Sequence, residues 1–221
     1  MGLGDAEDLF MMSKADDLAK DALPSKEIHS GRRIQHVEND APMLGELMER
    51  RIAKSGKIDQ DEGFQASMDI REALEADCKK LGINVAEKNV AFAEIDIPGK
   101  PSKMIAINGK LSPPGTCAKP EQPIFKARHS GAQPRDVDSE YKILEEIAKG
   151  LDSKDPSIAG SVVLFTEQEP CSRSCHKVIK EFEEKFEYRI TVNVSSKFKT
   201  AKDRMAGVSE EVAKRANRNA Q

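Results

Sequence analysis

The chain has 221 residues and is therefore long enough to bury a core in one or two domains. Its formal net charge is -3, so no overall excess of basic residues indicates a nucleic-acid partner. It contains no run of eighteen apolar residues typical of a membrane-spanning helix, and its N-terminus lacks the basic-then-apolar pattern of a signal peptide. Four unevenly spaced cysteines are too few for a disulfide scaffold, and tryptophan is absent, which disfavours a broad base-stacking surface.

Residues 1–84 are polar and have a helical character, and we expect an N-terminal helical region of unknown role. Near its end, apolar residues at helical spacing and a glycine stop at Gly82 predict a helix. The spaced residues are Ile70, Ala73, Leu74, Cys78 and Leu81. Around residues 23–41 proline, serine and glycine interrupt the pattern, which indicates a linker or a loosely held segment.

From residue 89 the pattern changes to strands. Two apolar runs, at residues 90–97 and 104–107, flank the turn sequence Pro98-Gly99 and predict a hairpin. Residues 108–137 are rich in proline and glycine and predict a long loop. A connection of that length in a compact domain usually has a function, such as forming the wall of an active site.

The remaining elements complete an α/β pattern. Ile143, Leu144 and Ile147 share one helical face and predict a helix that begins at about Ser139. Residues 161–166 form a continuously apolar run typical of a fully buried strand, a second helix is predicted after Pro170, and residues 188–194 alternate as a final strand. We therefore predict that residues 85–221 form one α/β domain in which helices cover a mixed β-sheet.

Two short motifs carry the chemistry. Asp138-Ser139-Glu140 opens the first helix of this domain, and Pro170-Cys171 followed by Cys175 introduces the second. A possible metal ligand, a carboxylate two residues later and a cysteine pair after proline are the groups that a zinc-dependent base deaminase needs. Each motif alone has another explanation, because an acidic cluster often caps a helix and a cysteine pair is usually structural.

Residues 135–194 resemble the cytidine-deaminase-like superfamily, and specifically the deaminase domains of bacterial polymorphic toxins. The segments that carry the resemblance are residues 135–148, residues 164–167, and residues 170–182 with both cysteines. The resemblance implies that Asp138, Cys171 and Cys175 bind Zn²⁺ and that Glu140 moves protons. In the toxin group an aspartate commonly stands where other deaminases have histidine, whereas the three-residue gap between the cysteines departs from the family's two-residue gap.

The same resemblance implies a hydrolase that acts on C–N bonds and converts cytosine to uracil in nucleic acid, with DNA favoured over RNA. It implies a bacterial toxin domain that is delivered into the cytoplasm of a target cell, a cognate immunity protein, and no membrane partner. Free cytidine or a nucleotide is the alternative substrate. The alternative functions are a catalytically inactive deaminase fold and a zinc-stabilised binding module.

Other polar residues leave alternatives open. His176 follows Cys175 directly and is the alternative metal ligand in place of Asp138. His129 is expected on the surface or in a pocket wall. Cys117 is expected to be a free thiol in the loop. A basic run with Phe198 is equally consistent with a phosphate-binding surface and with a solvated helix face. It consists of Lys197, Lys199, Lys202 and Arg204.

Overall fold

The computed structural model describes residues 44–130 and 133–220, which belong to one compact unit. The helices are α1 Leu44–Glu49, α2 Gln60–Lys80, α3 Ser139–Ala148, α4 Cys175–Lys185 and α5 Ala201–Asn219. The strands are β1 Val90–Asp96, β2 Lys103–Ile107, β3 His129–Ser130, β4 Gln133–Pro134, β5 Gly160–Gln168 and β6 Ile190–Phe198. The linker predicted around residues 23–41 lies outside the described residues. None of the described helices is long and apolar enough to cross a membrane.

The main sheet has four strands in the order β2-β1-β5-β6. Strand β1 is antiparallel to both β2 and β5, whereas β5 and β6 are parallel and are connected through α4. The β1–β2 pair is the hairpin predicted around Pro98-Gly99, and the buried strand and the final strand are β5 and β6. The predicted mixed α/β sheet is therefore confirmed.

Hydrophobic cores lie on both faces of this sheet because successive side chains of a strand point to opposite sides. Small residues such as Ala91 and Ala93 face α3 and α4, which cover one side of the sheet and form the first core. Phe92 and Phe165 point to the other side, where α1, α2 and α5 pack to form the second core. The domain is a three-layer arrangement with the sheet in the middle.

A buried ion cluster ties the second core together. The Glu167 carboxylate accepts hydrogen bonds from Ser67, from the Arg71 guanidinium and from the backbone N–H of Val90, and it lies 3.6 Å from the Arg204 guanidinium. Arg204 is only 3% exposed. Arg204 is therefore not part of an exposed basic surface, because helix α5 turns it inwards, whereas Lys199 and Lys202 are exposed.

The long segment after β2 is more ordered than its composition predicts. Glu145 of α3 accepts hydrogen bonds from the backbone N–H groups of Ile124 and Phe125, and the hydroxyl of Tyr141 donates to the Phe125 carbonyl. The segment ends in the short β3–β4 ribbon. Cys117, expected as a free loop thiol, is buried in the first core, and burial raises its pKa to about 12.

Helix α2 confirms the helix predicted near residues 70–81 and packs against the same sheet as the motif-bearing elements. The domain division at residue 84 stays a prediction. Gly63 marks the closest approach of α2 to β5, because a Cβ atom there would lie 2.3 Å from the ring of Phe165.

We expect Gly63→Ala to lower the free energy of unfolding by about 1–3 kcal/mol, because the added methyl group overlaps the Phe165 ring. Gly45→Ala in α1 is the matched control, since a Cβ there meets nothing within 4 Å. It should raise stability by about 0.5–1 kcal/mol. Urea denaturation of both variants measures the difference, and equal effects would contradict the close packing of α2 on β5.

Glu167→Gln should destabilise the protein by about 3–5 kcal/mol, because it leaves Arg71 and Arg204 buried without their counter-charge. The control is Glu210→Gln, which breaks an exposed pair with Lys214 on α5 and should leave the denaturation midpoint unchanged. A stable Glu167→Gln variant would show that the cluster does not hold the second core together.

Candidate metal centre and active site

The N-terminus of α3 presents the first motif. Asp138 occupies the position before the first helical residue, with extended backbone angles (φ -68, ψ 142) typical of a cap. Its side chain nevertheless makes no capping hydrogen bond to the amides of α3. One carboxylate oxygen lies 3.4 Å from the Cys175 sulfur and the other 3.5 Å from the Arg135 guanidinium. The carboxylate is thus turned away from its helix and towards the second motif.

The second motif differs in one respect from its sequence prediction, which placed both cysteines in the first turns of a helix. Helix α4 begins only at Cys175, whereas Cys171 precedes the turn formed by residues 172–174. The backbone N–H of Cys175 points at the Cys171 sulfur, 3.5 Å away. The extra residue between the cysteines is therefore accommodated in a turn, and the proline at position 170 does not start the helix.

Asp138, Cys171 and Cys175 come together with one ligand atom each, and these atoms lie within 4.8 Å of one another. The Cys171 and Cys175 sulfurs are 3.4 Å apart. In a tetrahedral zinc site with Zn–S near 2.3 Å, two thiolate sulfurs lie about 3.8 Å apart, and a sulfur and a carboxylate oxygen about 3.6 Å apart. The Cys171–Cys175 and Cys175–Asp138 separations differ from these values by a few tenths of an ångström, and Cys171 and Asp138 lie within 4.8 Å of each other. The three side chains are therefore close enough to bind one zinc ion after small adjustments.

The electrostatics of this group also favour a cation. A hydrogen bond shared with Cys175 lowers the pKa of Cys171 below that of a free thiol. The same hydrogen bond together with burial raises the pKa of Cys175, and burial raises the pKa of Asp138. Three acidic groups enclosed together must retain protons or bind a positive ion, and a divalent cation relieves their repulsion.

Glu140 lies two residues after Asp138, in the first turn of α3, and is almost fully buried. One carboxylate oxygen accepts a hydrogen bond from the Thr166 hydroxyl at 2.7 Å, and the other accepts one from the Ser139 hydroxyl at 3.2 Å. Burial raises the pKa of Glu140 to about 7, although both hydroxyl groups oppose the shift. A carboxyl group with such a pKa both accepts and releases protons near neutral pH.

Some polar residues do not join the site. His176 is exposed and lies outside the ligand group found among the described residues, so the structure gives it no part in place of Asp138. The backbone of His129 forms part of the β3–β4 ribbon. Thr166 donates to Glu140, and Asn89 contacts the Thr166 and Ser139 hydroxyl groups, yet sequence patterns indicated no role for Asn89 or Thr166. The only signal for Asn89 was its position directly before an apolar strand, which is also typical of a turn residue.

Comparison with known proteins identifies the family of this chain. Residues 67–197 match the Toxin-deaminase family, described as the BURPS668_1122 family of deaminases, and the match covers more than half of the chain. The chain belongs to the Toxin-deaminase family. Searches of curated proteins and of solved structures gave no significant match.

The family match confirms the resemblance to bacterial toxin deaminases of the cytidine-deaminase-like superfamily. The matched region begins within α2 and ends in β6, so it includes both motifs and the strand between them. Membership supports deamination as the general class of activity. The individual roles of Asp138, Glu140, Cys171 and Cys175 stay predictions.

We expect the purified protein to bind about one zinc ion per chain, because three protein ligands that leave a fourth coordination position open are typical of a catalytic zinc site. Cys175→Ser and Asp138→Ala should lose most of this zinc, whereas Asp138→His should retain it because an imidazole supplies an equivalent ligand. Metal content measured by mass spectrometry, with the zinc-induced rise of the melting midpoint, tests the assignment.

Cys78→Ala is the control, because Cys78 is buried in the other core. This variant should bind zinc as the wild type does. Loss of zinc from Asp138→His together with its retention in Asp138→Ala would show that the carboxylate is not a ligand.

Proposed function

We propose that this protein is a zinc-dependent nucleobase deaminase that converts cytosine to uracil in nucleic acid and acts as a bacterial toxin domain. The observation that carries the proposal is the juxtaposition of a buried glutamate with an Asp/Cys/Cys ligand group at the start of two neighbouring helices. A carboxylate beside such a ligand group is the arrangement that hydrolytic deamination of a base requires.

Each residue type has a distinct task in this proposal. Asp138, Cys171 and Cys175 would hold the zinc ion, which when bound lowers the pKa of a water molecule and so supplies the nucleophile. Glu140 would accept a proton from that water and return protons to the ring nitrogen and to the amine that leaves as ammonia. Water and cytosine are thereby converted to uracil and ammonia, with no oxidant or reductant involved.

Positive charge near the ligand group supports a polymeric substrate. Arg173 is exposed in the turn between the two cysteines, Lys177 is exposed on the first turn of α4, and Arg135 lies beside Asp138. We propose that these side chains contact the phosphates on either side of a target base, since such contacts position a nucleic acid without reading its sequence. We propose DNA as the favoured polymer and RNA as the alternative.

We propose the biological setting by analogy with the family. As a member of the Toxin-deaminase family the domain is proposed to act in the cytoplasm of a target cell after delivery. A cognate immunity protein that covers the site would protect the producing cell. The same residues without catalysis would form a zinc-stabilised binding module, and the variants below distinguish the two.

Uracil should form in single-stranded DNA, double-stranded DNA or RNA incubated with the purified protein. Glu140→Gln should reduce the rate by at least about 10²–10⁴-fold, because it removes the group that transfers protons. Glu146→Gln, on the same helix with a side chain that is 44% exposed, is the matched control and should keep full activity. Quantification of uracil by mass spectrometry separates these outcomes.

Two results would contradict the proposal. Equal activity of wild type and Glu140→Gln would remove Glu140 from the mechanism. No product from any substrate by zinc-loaded wild-type protein would favour the binding module.

A further inference from the structure

Asn89 occupies a buried position between the elements that form the site, yet it belongs to neither sequence motif. It lies directly before β1, and its side-chain amide nitrogen is 2.9 Å from the Ser139 hydroxyl and 2.8 Å from the Thr166 hydroxyl. Its side-chain oxygen accepts a hydrogen bond from the backbone N–H of Gln168 at 3.0 Å. One amide group thus links the starts of β1 and α3 to the end of β5.

The orientation of this amide is fixed by its partners. A backbone N–H is a donor only, so the atom that faces Gln168 must be the amide oxygen. The amide NH₂ group therefore faces the two hydroxyl groups and donates to both. The backbone of Asn89 is also held, because its N–H donates to the Asn108 side chain at 2.8 Å and its carbonyl accepts from the Asn108 N–H at 3.0 Å.

The direction of the next hydrogen bonds follows from this orientation. Each hydroxyl has a single proton, and Asn89 occupies an acceptor position on both oxygens. The protons of Ser139 and Thr166 are then free to point at the two oxygens of Glu140, 3.2 Å and 2.7 Å away. The carbonyl of Gln168 is a second acceptor for Thr166, but at 3.1 Å it is more distant than Glu140.

We propose that Asn89 is a positioning residue for Glu140, because its amide directs both hydroxyl protons towards the carboxylate and thereby fixes the position of each carboxylate oxygen. The inference rests on the proposed proton-transfer role of Glu140. Asn89 acts through Ser139 and Thr166, and a network in which every member has its partner holds a reactive group in one geometry.

The first test is Asn89→Asp, which keeps the size of the side chain but replaces the donating NH₂ group by an acceptor. Ser139 and Thr166 then have acceptors on both sides, and their protons are drawn away from Glu140. We expect kcat for uracil formation to fall about 10- to 100-fold, as is typical when a supporting residue of a metal site is changed, with KM and zinc content unchanged. Asn193→Asp on the exposed side of β6 is the matched control and should match the wild type.

The second test does not depend on activity. Asn89→Asp should lower the denaturation midpoint of the zinc-loaded protein, because two carboxylates compete for the same two protons. Adding Glu140→Gln should restore part of that midpoint, since it removes one of the two carboxylates and its amide NH₂ donates to one of the two hydroxyl oxygens. The double variant exchanges donor and acceptor across one of the two hydroxyl groups, so it should recover part of the lost stability without recovering activity.

The outcomes separate the two proposals. Additive losses of stability in the double variant, or an Asn89→Asp variant with wild-type kcat, would overturn the positioning role. Recovery of the midpoint in the double variant, combined with no uracil from the wild type, would support the hydrogen-bond directions and overturn the proposed reaction instead.

Discussion

The buried Glu167 carboxylate holds the end of β5 in place, and the position of the candidate active site depends on that end of the strand. Arg71 from α2 and Arg204 from α5 meet this carboxylate in the second core, and the N–H of Val90 ties β1 to the same point. Because successive side chains alternate across a sheet, the neighbouring Thr166 points to the opposite face, where it donates to Glu140. An internal charge cluster with no chemical role therefore determines where the proposed proton-transfer group can lie.

The two helix starts at the site are left without their own side-chain caps. Asp138 precedes α3 and Ser174 precedes α4, but neither side chain makes a capping hydrogen bond among the described residues. The exposed N–H groups and the positive end of each helix dipole then favour negative charge on the nearby thiolates and carboxylates. The missing caps cost stability at both helix ends, but they are consistent with a site in which anionic ligands surround a cation.

The sequence predicted those parts of the fold that local patterns determine. The apolar runs of β1 and β5, the alternation of β6 and the apolar face of α3 are local patterns of this kind, and the two motifs that contain Asp138 and Cys175 follow from spacing. The start of α4 could not be read in this way, since a cysteine four residues before another fits both a helix and the observed turn. Arg204 and Asn89 were missed for a different reason, because their partners are distant in sequence and no periodicity records which distant groups meet.

The aspartate in the ligand group links these features. A carboxylate brings a negative charge that a neutral imidazole would not, and the Arg135 guanidinium at 3.5 Å offsets only part of it. In the proposed reaction, a more anionic ligand group would make a zinc-bound water less acidic, so a larger share of the proton transfer would fall to Glu140. The geometry of that carboxylate then matters more than it would beside a histidine ligand. A fully bonded network through Ser139, Thr166 and Asn89 is what such a site needs, and it explains why these uncharged residues are buried where the two helices and β5 converge.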